Sequence, residues 1–167
     1  MAVSTEDVKR LREETGAGVM DCKRALDEAG GDYAKAIELL TEWGAARAEK
    51  KAHRETSQGV VEAYIHAGGR VGALVEVNCE TDFVARTEAF RALAHDIAMQ
   101  VAAMSPIAVS EDDLPPGAEG DPSELVLLKQ AFIKDPSKTI EQLVKETIAQ
   151  TGENIRIRRF ARFELGR

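Results

Sequence analysis

The sequence predicts an α+β fold: an N-terminal unit of three helices, a helical linker, and then a small three-stranded antiparallel sheet with helices packed on one face. Three observations carry it. The first third of the chain repeats helical-period apolar stripes separated by glycine stops. Residues 59–67 and 71–78 change to period-2 alternation around Gly68-Gly69. Residues 155–165 return to that alternation after two more helical stretches.

The elements follow in order. Residues 5–15 carry Val8 and Leu11 on one stripe, with Ser4 or Thr5 able to accept the first free N–H groups, and Gly16-Ala17-Gly18 ends the helix. Residues 19–29 place Val19, Cys22, Ala25, Leu26 and Ala29 at helical spacing before Gly30-Gly31-Asp32. A longer helix runs from Tyr33 to about His53, with Ala36, Ile37, Leu40 and Trp43 on one side. These predict a three-helix domain over 1–44 and a solvated helical linker over 45–56. The α+β domain over 57–167 then begins with a hairpin, because Gly68-Gly69 supply the positive φ that a two-residue turn demands. Residues 88–104 make a helix with Phe90, Leu93, Ala94, Ile97, Val101 and Met104 inward. Residues 105–123 hold most of the prolines and an acidic run, so they read as a surface loop. Residues 125–133 are ambiguous. Pro136 and Ser137 open a helix over 137–151, stopped by Gly152. In the last strand Ile155, Ile157, Arg159, Ala161 and Phe163 alternate against Arg156, Arg158, Phe160 and Arg162.

Composition narrows the function. A net charge of −7 argues against binding nucleic acid directly, which needs a phosphate-neutralising surface. No run of about 18 apolar residues exists to span a membrane. The first residues have no basic flank or apolar segment of the secretory kind. Cys22 and Cys79 lie far apart, outside any paired-ligand spacing, as expected of reduced thiols in a cytoplasmic protein. There is no phosphate loop, dinucleotide fingerprint, nucleophile elbow or HExxH. Glu76, Glu80 and Asp82 lack a nucleophile partner, and His66, Cys79 and Glu80 would form a metal set only if the strands brought them together. The chemistry is that of a binding protein: not an enzyme, and with no cofactor.

One stretch stands out. The strand over 71–78 runs into Glu80-Thr81-Asp82-Phe83, a cap-rich acidic turn with an aromatic beside it. In one reading Thr81 or Asp82 caps a helix and Phe83 is core. In the other the turn is a presented tip.

Three segments then resemble one family. Residues 11–26, Leu-Arg-Glu-Glu-Thr-Gly-Ala-Gly-Val-Met-Asp-Cys-Lys-Arg-Ala-Leu, look like the opening of bacterial translation elongation factor Ts. Residues 78–86, Asn-Cys-Glu-Thr-Asp-Phe-Val-Ala-Arg, are similar to its signature, and residues 152–166 resemble its final strand. The resemblance implies a guanine-nucleotide exchange factor for the GTPase elongation factor Tu in translation elongation. It implies a ubiquitin-associated-type N-terminal domain. It assigns Thr81, Asp82, Phe83 and Val84 to dislodging Mg²⁺ in that GTPase, and Leu11, Val19, Met20 and Lys23 to gripping it. The region between Met104 and Leu125 is too short for the helical hairpin of longer members, and only one core unit is visible. Short members pair, so a homodimer or a 2:2 complex is expected. With Ala161 in the last strand there is no cysteine there to link it, so the dimer would be non-covalent. The rival reading is a ubiquitin-associated-type adaptor with another partner, which leaves the 81–84 turn unexplained.

Overall fold

The structure is a computed structural model that describes residues 3–167. Met1 and Ala2, at the start of the expected 1–44 domain and of the segment read for a secretory signal, lie outside the described residues.

Helix α1 (Thr5–Thr15) is capped by the Ser4 hydroxyl, which accepts from the Asp7 N–H at 3.0 Å. Helices α2 (Val19–Glu28) and α3 (Tyr33–Lys51) close over it. Val8, Leu11, Cys22, Ala25, Leu26 and Ala36 are the buried centre, with Ile37, Leu40 and Trp43 packed around them. A bidentate pair also binds α2 to α3, the Arg47 guanidinium donating to both Asp21 carboxylate oxygens at 2.7 and 2.9 Å. Helix α3 does not break between the expected domain and linker. Gly44 is buried, and a Cβ there would lie 3.4 Å from that of Ala149. Ala48, in the expected solvated linker, is instead buried in the core of the sheet unit.

Strands β1 (Gln58–Ile65), β2 (Val71–Cys79) and β5 (Ile155–Glu164) form one antiparallel sheet in the order β1-β2-β5. Helices α5 (Glu88–Met104) and α7 (Ile140–Thr151) cover its inner face. Ala73, Val75, Val77 and Cys79 point inward and are buried with Phe90, Leu93, Ile97 and Val101 of α5. Met104, expected in that stripe, sits in the last turn and is half exposed.

Three further expectations are corrected. The last strand does not keep a single phase. Glu76 faces Arg159 and Val77 faces Ile157, so Arg158 is the extra residue of a β-bulge. Beyond it the faces exchange, and Phe160 turns toward the core while Phe163 turns out to solvent. Residues 135–139 do not begin the last helix. They form β4 (Asp135–Thr139), paired with β3 (Ala131–Phe132), and α7 starts at a Thr139–Gln142 capping box. The hairpin loop is four residues long, closed by the His66 N–H donating to the Val71 carbonyl at 2.9 Å.

The Pro/Gly-rich segment 105–123 is partly built into the fold. Ala108 bridges Val126, and Ala108 and Val109 are buried. A 3-10 turn spans Glu111–Asp113, and α6 (Pro122–Leu125) ends the segment. Among the described residues no helix is long and apolar enough to cross a membrane.

Two predictions follow from the packing. Gly59 has φ +149°, and a Cβ there would lie 2.1 Å from the Val77 carbonyl oxygen, backbone against backbone; Gly68 has φ +90° with nothing near it. Both alanine variants are strained, but Gly59→Ala should cost more than Gly68→Ala, and more than about 1 kcal/mol in urea unfolding. Equal midpoints for the two would contradict the close approach. The second concerns pH. The Arg47 hydrogen bonds hold the Asp21 carboxyl below its usual range, against the opposing effect of burial. A carboxyl whose folded pKa is depressed adds stability above its unfolded pKa and loses it as pH falls through the folded value. With both side chains partly exposed, the pair is worth about 0.5–1 kcal/mol. Asp21→Asn should show that deficit at neutral pH, and the gap to the parent should close on acidification.

Candidate functional site

The sequence places a capping residue at the end of a buried strand, and the structure uses it. Thr81, extended at φ −125°, N-caps α4 (Asp82–Ala85), its hydroxyl accepting from the Val84 N–H at 3.4 Å. Phe83 does not enter the core: it is 80% exposed. Val84 and Ala85, the next two residues, are buried against the sheet. The residues of the expected tip therefore divide. Asp82 and Phe83 project, while Thr81 is half-buried and Val84 is an anchor. Asp82 pairs with Arg86 at 3.0 Å on the exposed side of the same turn.

Three groups hold the turn from below. The Glu153 carboxylate accepts from the Thr81 N–H at 2.9 Å and from the Thr81 hydroxyl at 2.7 Å. In return the Glu80 carboxylate accepts from the Asn154 N–H at 2.8 Å. The Cys79 thiol donates to the Thr81 carbonyl at 3.1 Å. Burial, and next the Glu153 charge, push that thiol up to about 11, so it stays protonated and donating at neutral pH. Asn154 is itself buried, and its side-chain amide donates to the Arg54 carbonyl at 2.8 Å and the Ala52 carbonyl at 3.4 Å, just past the end of α3. Glu153 and Asn154 were not among the sequence-derived site residues. They stand 72 and 74 positions from their partners, and nothing local marks them.

The second set lies on the three-helix unit. Met20 is 74% exposed and Val19 48%, side by side at the start of α2, and Lys23 is exposed one turn on. Leu11, expected with them, is fully buried. It packs the core that presents the others and has no surface to offer a partner. Arg24 lies over the Trp43 ring, 3.7 Å from its centroid, and covers the neighbouring apolar surface.

A third surface is the outer face of the sheet. Val61 and Ile65 of β1, Leu74 of β2, and Phe163 and Leu165 at the chain's end are all exposed. The register puts Ile65, Gly72 and Phe163 in one row across the three strands, and Ala63, Leu74 and Ala161 in the next. Gly72 leaves the space that the Ile65 side chain fills, since a Cβ there would lie 2.6 Å from it. The candidate metal set is not assembled. His66 lies at the hairpin end of the sheet, and Cys79 and Glu80 lie at the opposite end of β2.

Comparison with known proteins gives the family. A family model described as elongation factor Ts matches residues 34–121 and 118–167. Two proteins named elongation factor Ts, from Carboxydothermus hydrogenoformans and Caldanaerobacter subterraneus subsp. tengcongensis, are each 50% identical over 194 aligned residues. They cover 98% of this chain, and 89% and 97% of their own lengths. A third, from Coprothermobacter proteolyticus, is 48% identical over 196 aligned residues, covering 99% of this chain and all of its own. These spans exceed the 167 residues here, so the relatives carry sequence that this chain lacks. The two family-model matches overlap at residues 118–121, inside the Pro/Gly-rich loop and outside every helix and strand. With matches of this extent, the chain belongs to the elongation factor Ts family.

Proposed function

We propose that the protein is a guanine-nucleotide exchange factor for elongation factor Tu, acting in the cytoplasm during translation elongation. The exposed Phe83 carries the reading. A large aromatic held out of the core, on a turn anchored at both ends, is costly for a solitary protein and useful as a wedge. In this reading Asp82 and Phe83 enter the GTPase near its Mg²⁺ site, with Thr81 and Val84 fixing their direction. Val19, Met20 and Lys23 grip the GTPase from the three-helix unit. The division into a 1–44 domain, a 45–56 linker and a 57–167 core belongs to the same proposal, the first part binding and the last part acting. The factor converts no substrate and needs no cofactor of its own.

Energetics limit what Phe83 does alone. Coupling between nucleotide and factor is reciprocal. A 10⁴-fold effect on nucleotide affinity requires about 5.5 kcal/mol of differential binding. Burying one Phe supplies roughly 1.5–3 kcal/mol. The remainder has to come from disturbed Mg²⁺ and phosphate contacts and from the grip elsewhere. Phe83→Ala should therefore slow GDP release at saturating factor on the order of tenfold or more, with a smaller change in affinity for nucleotide-free elongation factor Tu. Met20→Ala should do the reverse, weakening binding with little change in the saturated rate. Stopped-flow GDP release separates them, and a parental rate at saturating Phe83→Ala refutes the wedge.

The outer sheet face supports a non-covalent homodimer, able to form a 2:2 complex with the GTPase. Val61, Ile65, Leu74, Phe163 and Leu165 form an apolar surface that none of the described residues covers. A second copy offers the same surface and satisfies it by twofold symmetry. Light scattering at micromolar concentration should give twice the 18.2 kDa of one chain. Phe163→Asp should halve that mass, whereas a parent that is already monomeric rules the pairing out.

A further inference from the structure

Glu153 lies outside the residues assigned to the exchange turn, yet it holds the first of them, Thr81, through two hydrogen bonds. Its two carboxylate oxygens take the N–H and the hydroxyl of Thr81 at 2.9 and 2.7 Å. Those are the two groups that set where α4 begins: the backbone at its N-cap and the side chain that caps it. One turn of helix has almost no stability of its own, because nucleation costs more than a single hydrogen bond returns. The direction of Phe83 therefore depends on how Thr81 is held. Glu153 follows Gly152, the C-cap of α7, and leads into β5 through Asn154, so it is carried by the packed core on both sides. Asn154 extends the same junction to the carbonyls of Ala52 and Arg54, and Arg54 approaches the Glu80 carboxylate at 3.5 Å. The segment leaving α3, the turn leaving β2 and the turn entering β5 meet at this one point.

We infer that Glu153 is a positioning residue for exchange: its bidentate hold on Thr81 fixes the Phe83 tip, and Asn154 ties that hold to the end of the helix that bears the three-helix unit. In this role Glu153 is not a contact residue for the GTPase. It acts through Phe83, and this inference rests on the proposed exchange activity.

The test is GDP release from elongation factor Tu by full-length factor, alongside thermal melting and affinity for the nucleotide-free GTPase. A residue that acts only through Phe83 can cost no more than Phe83→Ala does, so the change is on the order of tenfold. Glu153→Ala should slow release at saturating factor by about that much, with affinity changed no more than about twofold. Glu153→Gln keeps the reach, one acceptor for the Thr81 N–H and one donor for its hydroxyl oxygen, and should stay within about threefold of the parent. Glu153→Asp keeps the charge but is one methylene short, and should behave as the alanine variant does. This pair decides the matter even if Glu153→Ala fails to fold. In a Phe83→Ala background, Glu153→Ala should add no further slowing, since a residue that acts through Phe83 has nothing left to act on. A multiplicative loss in the double variant, a Gln variant as slow as Ala, or an Asp variant at the parental rate each overturns the positioning role. If Phe83→Ala itself releases GDP at the parental rate, the exchange reading fails first. If Phe83→Ala is slow while every Glu153 variant matches the parent, the positioning role alone fails.

Discussion

Side chains alternate along β2, so Ala73, Val75, Val77 and Cys79 go inward under α5, while Gly72, Leu74 and Glu76 must face the other way. This one strand is hydrogen-bonded on both edges and sits at the centre of the sheet. Its inner face anchors the larger core. Its outer face is the apolar surface left without cover. Its end delivers the chain directly to Thr81. The two proposed activities, pairing with a second copy and wedging a GTPase, thus come from two parts of the same buried strand. Damage to the β2–α5 packing would reach both.

Much of this arrangement was legible because it repeats. The inward positions of β2, and of α5 apart from Met104, can be read from periods of two and 3.6. The start of α1 can be read from a hydroxyl placed before an apolar stripe. What was hidden breaks a period or spans the chain. The bulge at Arg158 inserts one residue into β5 and exchanges its faces, which moved Phe163 from the expected face to the other. Nothing in Arg156-Ile157-Arg158-Arg159-Phe160 announces it. The short strand β4 was hidden behind Pro136, which fits a helix start as well as an edge strand. The Thr139-Ile140-Glu141-Gln142 box that follows was the better signal for where α7 begins.

The candidate site was legible in a different way. The cap-rich turn could be seen, but its two readings differ only in where Phe83 points. A four-residue helix has no periodicity from which to read that. Burial decides it, and burial is a property of the assembled fold. The same holds for Leu11 against Val19 and Met20: all are apolar residues in neighbouring helices, and only the packing of α1 on α2 and α3 separates core from surface. Resemblance to the family located both regions, and the packing sorted their members into those that project and those that support.

That sorting bears on how a tip of this kind can act. Fixing a flexible backbone costs roughly 1–2 kcal/mol per residue, so ordering residues 81–84 only on binding would consume about 4–8 kcal/mol. One buried Phe returns roughly 1.5–3 kcal/mol. A floppy turn would thus spend more on ordering than its aromatic gains, leaving nothing to set against Mg²⁺ and phosphate contacts. Here the order is built in beforehand. Val84 is packed in the core, the Cys79 thiol holds the Thr81 carbonyl, the Glu153 carboxylate holds the Thr81 N–H and hydroxyl, and Asn154 joins that point to the end of α3. In the proposed mechanism the tip meets the GTPase already shaped. The energy of contact then goes into the difference between nucleotide-bound and nucleotide-free partner, which is the quantity that drives exchange.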